Sequence, residues 1–260
     1  MATTKKTPAK PSTAIAVKKA GGSVVSIQEQ LKAQAAAMAG RTQPTTGSTI
    51  KLTKDKKFQL PNGQKVDGPL ELVVVDFVSR NKFYDRAFDS NNPVPPACFA
   101  IHAEPKQLVP SDNSPEKQSD DCNSCPLNQF KSGANGKGKA CKNTRYLAVL
   151  PPDADADTEL WFLEVSPTGL KSFDGFVNST MRSFQMPPIS VVVDVDFDPD
   201  SDFQTLTFGN VRPNENLAVH FARQAEAIDQ LTQEIDVSGY QPVQAPPVRQ
   251  PVRKVANARR

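Results

Sequence analysis

All four cysteines of this 260-residue chain fall in one window, at Cys98, Cys122, Cys125 and Cys141, with the spacing C-x23-C-x2-C-x15-C. No other feature constrains the fold as much. A C-x2-C pair supplies two soft ligands from one turn, and zinc takes four in a tetrahedron. Pro126 follows Cys125 and helps to fix such a turn. Cys98 comes off a predicted strand and Cys141 stands just before another, so a metal would pin a long excursion at both roots. That excursion has little else to bury and needs a staple. A thioredoxin-like pair wants its C-x-x-C at the start of a helix after a strand, whereas here "SDD" precedes the pair and "PLNQF" follows it. Paired disulfides need an oxidising compartment. Free thiols are the plain alternative, and sulfur-rich sites also suit iron. Four cysteine ligands leave no open position, so the expectation is structural Zn2+ with no catalysis at the metal. His102 and His220 are spare, read as packed or surface histidines.

Inside the same window, "GANGKGKA" (Gly133 to Ala140) nearly spells a phosphate-binding loop. The final Ser or Thr that would hold Mg2+ is Ala140, and no strand leads into Gly133, so the motif fails in residue and context. The lysines have another use. Lys131, Lys137, Lys139, Lys142 and Arg145 run without an intervening acid. Some could neutralise a four-thiolate zinc site of formal charge −2, while the others would project as a cationic finger suited to phosphate contacts. A solvated loop is the bland reading.

The overall charge of +3 hides an asymmetry. Residues 1–45 hold seven Lys/Arg against Glu29 alone, and residues 240–260 hold five Lys/Arg and no acid. The middle is left with 19 basic and 27 acidic groups, a net of −8. Such a body excludes a generally cationic nucleic-acid binder, so contact with nucleic acid requires local basic patches. No apolar run approaches the ~20 residues of a membrane span. The lysines of the N-terminus are not followed by a continuous apolar stretch, so a cytoplasmic protein is expected.

Residues 1–25 are rich in Lys, Thr, Ala and Pro with no apolar period and are expected to be a disordered basic tail. A short helix is expected over 26–40, with Ser26 as cap and Gly40 as stop. A linker and a small hairpin follow over 41–67, the turn at Pro61-Asn62-Gly63. The body, 68–212, begins with the strongly apolar "LELVVVDFVS" (70–79). Further strands are read at 98–104, 145–151, 159–166, 189–197 and 203–209. A helix at 168–183 starts after Ser166-Pro167. Leu217, Phe221, Ile228, Leu231 and Ile235 form the stripe of a C-terminal helix over 213–237, capped by Asn214. Residues 238–260 are a Pro-rich basic tail. The expected class is β-rich α+β. The topology suggests a five-stranded barrel of the oligonucleotide-binding (OB) type, with a zinc-stapled loop at 98–141 and a helix between strands three and four.

"RNKFYDRAF" (80–88) interleaves Arg80, Lys82 and Arg86 with Phe83, Tyr84 and Phe88. Cations for phosphates and aromatic faces for bases are what single-stranded nucleic acid requires. The opposing reading puts Phe83 and Phe88 in the core and leaves Tyr84 and Arg86 exposed. Trp161 alternates with Leu160 and Phe162, and either core or stacking platform fits. Asp198, Asp200 and Asp202 begin like a calcium loop, but Phe203 occupies the glycine position and Gly209 that of the bidentate Glu, so they are turn acids. No catalytic cluster is present, so no enzyme is expected.

The motifs "PPACFA", "CNSCPLNQF", "GKGKACKNTRYLAVL" and "FLEVSPTGLKSFDGFV" resemble a family of tailed-bacteriophage early proteins over roughly residues 26–210. The resemblance implies an OB barrel with zinc in its long loop, similar to the phage helix-destabilising proteins, with Cys98, Cys122, Cys125 and Cys141 as ligands. It also implies single-stranded DNA binding in replication or recombination, in the host cytoplasm, beside other phage replication or recombination proteins. The chain ends "VRKVANARR", so recruitment through an acidic tail does not carry over. The expected function is sequence-tolerant, non-enzymatic single-stranded DNA binding through Arg80, Lys82, Phe83, Tyr84, Arg86 and the Lys131–Arg145 finger. The alternative is a zinc-stapled module that binds a host or phage protein.

Overall fold

Four consecutive apolar residues in "LVVV" demand a strand buried on both faces, and the strand that carries them organises the sheet. A computed structural model describes residues 48–87 and 93–242. The expected tails, the 26–40 helix and Phe88 lie outside the described residues. Nine strands form one mixed sheet: β1 (Thr49–Leu52), β2 (Phe58–Gln59), β3 (Lys65–Val66), β4 (Leu70–Phe83), β5 (Cys98–His102), β6 (Lys142–Leu150), β7 (Trp161–Val165), β8 (Val191–Phe197) and β9 (Leu206–Pro213). The sheet order is β3-β2-β1-β7-β6-β4-β8-β9, with β5 also on β4. β4 pairs with β6 from Val73 to Lys82 on one edge. Its other edge takes β8 at Leu70–Leu72 and β5 at Ser79–Phe83.

Alternation along β4 divides the core between the two faces. Leu72 and Val74 join Leu147, Val149, Leu163 and Val165 on the face covered by Phe173 and Phe176 of α1 (Leu170–Phe184). Val73, Val75 and Val78 join Ala148, Leu150 and Phe162 on the other, beneath Ala227 and Leu231 of α3 (Gln224–Leu231). The Phe173 ring meets Phe77 edge-on at 5.0 Å and Phe208 at 5.2 Å. Trp161 packs against the α1-side core.

The β-rich α+β class stands. The five-stranded barrel does not, because the described residues hold nine strands in one sheet, and three of them (β1–β3) come from the segment read as linker and hairpin. The hairpin forms as read, with β2 and β3 antiparallel and Gly63 at φ 85° in its turn. β1 pairs in parallel with β7, Thr49 opposite Phe162, a contact of more than a hundred residues' separation that no local pattern announces. α1 consequently lies between the seventh and eighth strands, not the third and fourth. The C-terminal stripe is also not one helix. α2 (Leu217–Ala222) and α3 are separated at Arg223, which caps the end of one and the start of the other with right-handed torsions of φ −92° and ψ −2°. Arg223 donates to the carbonyls of Ala156 and Thr158 and to Glu226. Phe221 and Ile228 of the stripe remain exposed, at 62% and 44%. Among the described residues no helix is long and apolar enough to cross a membrane.

His220 is fully buried. Its Nε2 donates to the Pro151 carbonyl at 3.1 Å and its Nδ1 accepts from the Asn214 amide at 2.9 Å, a neutral tautomer. Burial pushes its pKa down, against the pull of the Pro151 bond. The unfolded chain therefore takes up a proton that the folded chain refuses. Stability is full above the ordinary histidine value of about 6.5 and declines as pH falls below it. Urea midpoints of the native chain should fall between about pH 7.5 and 5.5, and those of His220→Gln, lower throughout, should change less over that window.

Candidate functional site

Residues directly opposite in an antiparallel pair share a face. At the far end of β4, Asn81 lies opposite Asn143 and Phe83 opposite Cys98, while Lys82 lies opposite Lys142. The interleaved segment is thus sorted onto two sides of one sheet end. Phe83, Asn81, Cys98 and Cys141 go to one side, and Lys82, Tyr84 and Lys142 to the other.

On the first side all four cysteines line one cavity of about 20 Å³, room for a single water-sized sphere. Cys98 opens β5. Cys125 precedes the 3-10 turn Pro126–Asn128, and the Asn128 N–H closes on the Cys125 carbonyl at 3.0 Å. The Cys141 N–H donates to Leu127 at 2.9 Å just before β6, and that of Cys122 to Leu108 at 3.3 Å. None of the four is in a disulfide; Cys98, Cys122 and Cys125 are buried and Cys141 is half-buried. Burial pushes the Cys122 thiol up to about 11, opposed by a hydrogen bond from Asn81 and reinforced by Cys98, Cys125 and Asp121. Burial pushes Cys141 up to about 12, reinforced by Cys122, Cys98 and Cys125. The thiols are therefore near enough to feel one another's charge. They ring the cavity without closing on a centre: among the described residues no group of three or more His, Cys, Asp or Glu stands at ligand spacing.

On the second side an open groove of about 440 Å³ is walled by Lys51, Lys82, Tyr84, Lys142, Thr144 and Glu164, among others. Lys51 and Lys142 are exposed. Tyr84 is 36% exposed, and Lys82 pairs with Glu164. Burial raises the pKa of Tyr84, as does Glu164, so its hydroxyl stays protonated.

The remaining cations go elsewhere. Arg80 lies 3.6 Å over the Tyr146 ring and donates to the Leu231 carbonyl at 3.0 Å, at the C-terminal end of α3. Desolvation lowers its pKa, with Tyr146 and Glu164 opposing. Arg86 forks onto Asp85 at 2.9 and 3.0 Å and reaches the Gln241 carbonyl. Arg145 faces α1, 3.4 Å from Asp174. Lys139 turns back to Asn143 at 2.8 Å and Asn128 at 3.3 Å. Lys131 and Lys137 are exposed on the loop. The expected finger is therefore several separate sites. Lys51 and Glu164 were not among the sequence candidates, because Lys51 falls in the segment read as linker. Asn81 and Asn143 were missed as well, although a polar side chain at an inward position of an apolar strand is a usable signal.

Comparison of the chain with protein-family models, with curated proteins and with solved structures finds no match.

Arg80 acts on the fold through a cation–π contact and a charged hydrogen bond. Arg80→Ala should lower stability by about 3 kcal/mol, read from urea unfolding.

Proposed function

We propose that this chain is a non-enzymatic, sequence-tolerant single-stranded DNA-binding protein whose ligand lies in the groove formed by β1, β4, β6 and β7. The observation that carries the reading is the half-exposed Tyr84 ring in an open groove between Lys51, Lys82 and Lys142. An aromatic face accepts any base, and flexible ammonium groups accept phosphates without reading sequence. Exposed Lys131 and Lys137 offer further phosphate contacts away from the groove. The resemblance to tailed-phage early proteins implies a role in replication or recombination.

The same proposal includes a structural Zn2+ held by Cys98, Cys122, Cys125 and Cys141. The donor set fits: four soft sulfurs and no histidine or carboxylate line one cavity, in a 98–141 excursion whose buried apolar residues besides cysteine are few. When bound, such an ion supplies folding energy and no reaction. A second reading, a module that binds a protein, draws on the net −8 body and on an apolar depression of about 490 Å³ beside Met186, Leu217 and the exposed Phe221. A stoichiometric complex that resists nuclease and is lost in Phe221→Asp would favour it.

Labelled oligo-dT should bind in low salt, measured by anisotropy, and weaken as salt rises. Lys51→Ala with Lys142→Ala should flatten the log K against log salt slope by about 1.4, from ~0.7 for each lost phosphate contact. Tyr84→Ala should cost about 1–3 kcal/mol of binding, with Tyr84→Phe close to the native chain. No anisotropy change at low salt would overturn the DNA reading.

A further inference from the structure

A buried amide is costly unless each of its polar ends is bonded. Asn81 is 4% exposed near the end of β4, on the wall of the thiol cavity. Its side chain shares that wall with Cys122 and favours the thiolate form there, against burial. Its oxygen accepts from the Asn143 amide at 2.6 Å. The Asn143 oxygen accepts in turn from the Lys139 ammonium at 2.8 Å. Asn128 braces the row: its oxygen accepts from Asn143 at 2.9 Å and from Lys139 at 3.3 Å, and its amide donates to the Cys122 carbonyl at 2.7 Å.

Every bond in this row points the same way. Lys139 donates to Asn143 and Asn143 to the Asn81 oxygen, which leaves the Asn81 N–H groups for the thiol wall. Aligned dipoles of this kind reinforce one another and present their positive end to Cys122. A neutral thiol gains little from that, whereas a thiolate gains a charge-assisted bond. Four thiolates around a divalent ion carry −2 in total, and Lys139 is the ammonium that the row brings nearest to them.

We propose that Asn81, Asn143 and Lys139 form the outer shell of a tetrathiolate centre for a divalent metal, orienting Cys122 and offsetting part of the centre's negative charge. This rests on the metal-site part of the function proposed above. None of the three is a metal ligand; they are positioning residues that act through sulfur.

The test uses the full chain with Co(II) and Zn(II) as probes, titrated against a competing chelator. Asn81→Asp keeps the shape and the acceptor for Asn143 but puts a carboxylate where the donor to sulfur was. Metal affinity should fall about 10–100-fold. The sulfur-to-cobalt charge-transfer band should move to longer wavelength, because the sulfur lone pairs lose their hydrogen bond, a shift that a purely structural role would not produce. Lys139→Met, at a half-exposed loop position where folding is not at issue, should weaken metal about 10-fold, and Lys139→Arg should restore it. Unchanged affinity and an unmoved band in both Asn81→Asp and Lys139→Met would overturn the outer shell while leaving the metal site standing. A native chain that takes up neither metal would overturn both.

Discussion

A single β-bulge in β4 governs where every side chain beyond it points. The β4–β6 register shifts between Val74 and Asp76. Val75 belongs to the α3-side core, and Asp76, opposite Ala148 of that core, bonds Gln224 of α3, so two successive residues face one side. The extra residue inverts the parity of the strand. Odd-numbered Val73 and Val75 face α3 before the bulge, and even-numbered Val78, Arg80 and Lys82 do so after it. Asp76 stabilises the irregularity locally by accepting the Phe77 N–H at 2.7 Å. Without the bulge, Asn81 and Phe83 would exchange sides with Lys82 and Tyr84, and neither the thiol cavity nor the groove would have its present walls.

The two candidate sites are consequently opposite surfaces of the same few residues. Residues 81 and 83 of β4 and Cys141 just before β6 line the cavity, while residues 82, 84, 142 and 144 line the groove. A change that tilts either strand end alters both. Arg80 holds this region to the rest of the fold by joining β4 to the Tyr146 ring of β6 and to the end of α3. It reads in sequence as one more basic residue beside aromatics. Its neighbours make it a structural clamp, because a buried guanidinium is tolerated only where a ring face and a carbonyl replace water.

Much of the fold was legible. The doubly buried strand, the hairpin at Pro61-Asn62-Gly63 and the α1 helix all follow from local pattern and turn chemistry. The four cysteines from residues 98 to 141 line one cavity. The strand count was not legible, since β1 owes its place to a parallel pairing with β7. Nor was the break at Arg223, which depends on carbonyls supplied by Ala156 and Thr158. Of the basic and aromatic candidates, Lys82, Tyr84 and Lys142 line one groove. Arg86, Lys139 and Arg145 do not, because each finds a nearer partner in Asp85, Asn143 or Asp174.

By itself the sequence determined the inventory: four clustered thiols, an acidic body with basic ends, a strand apolar enough to be covered on both faces, and a run of cations mixed with aromatics. These are properties of composition and spacing, and they persist whatever the chain's path. Only the tertiary structure decided which of those groups share a wall. That outcome turns on strand register and on one inserted residue at Val75–Asp76, where a shift of one position moves every later side chain to the opposite face.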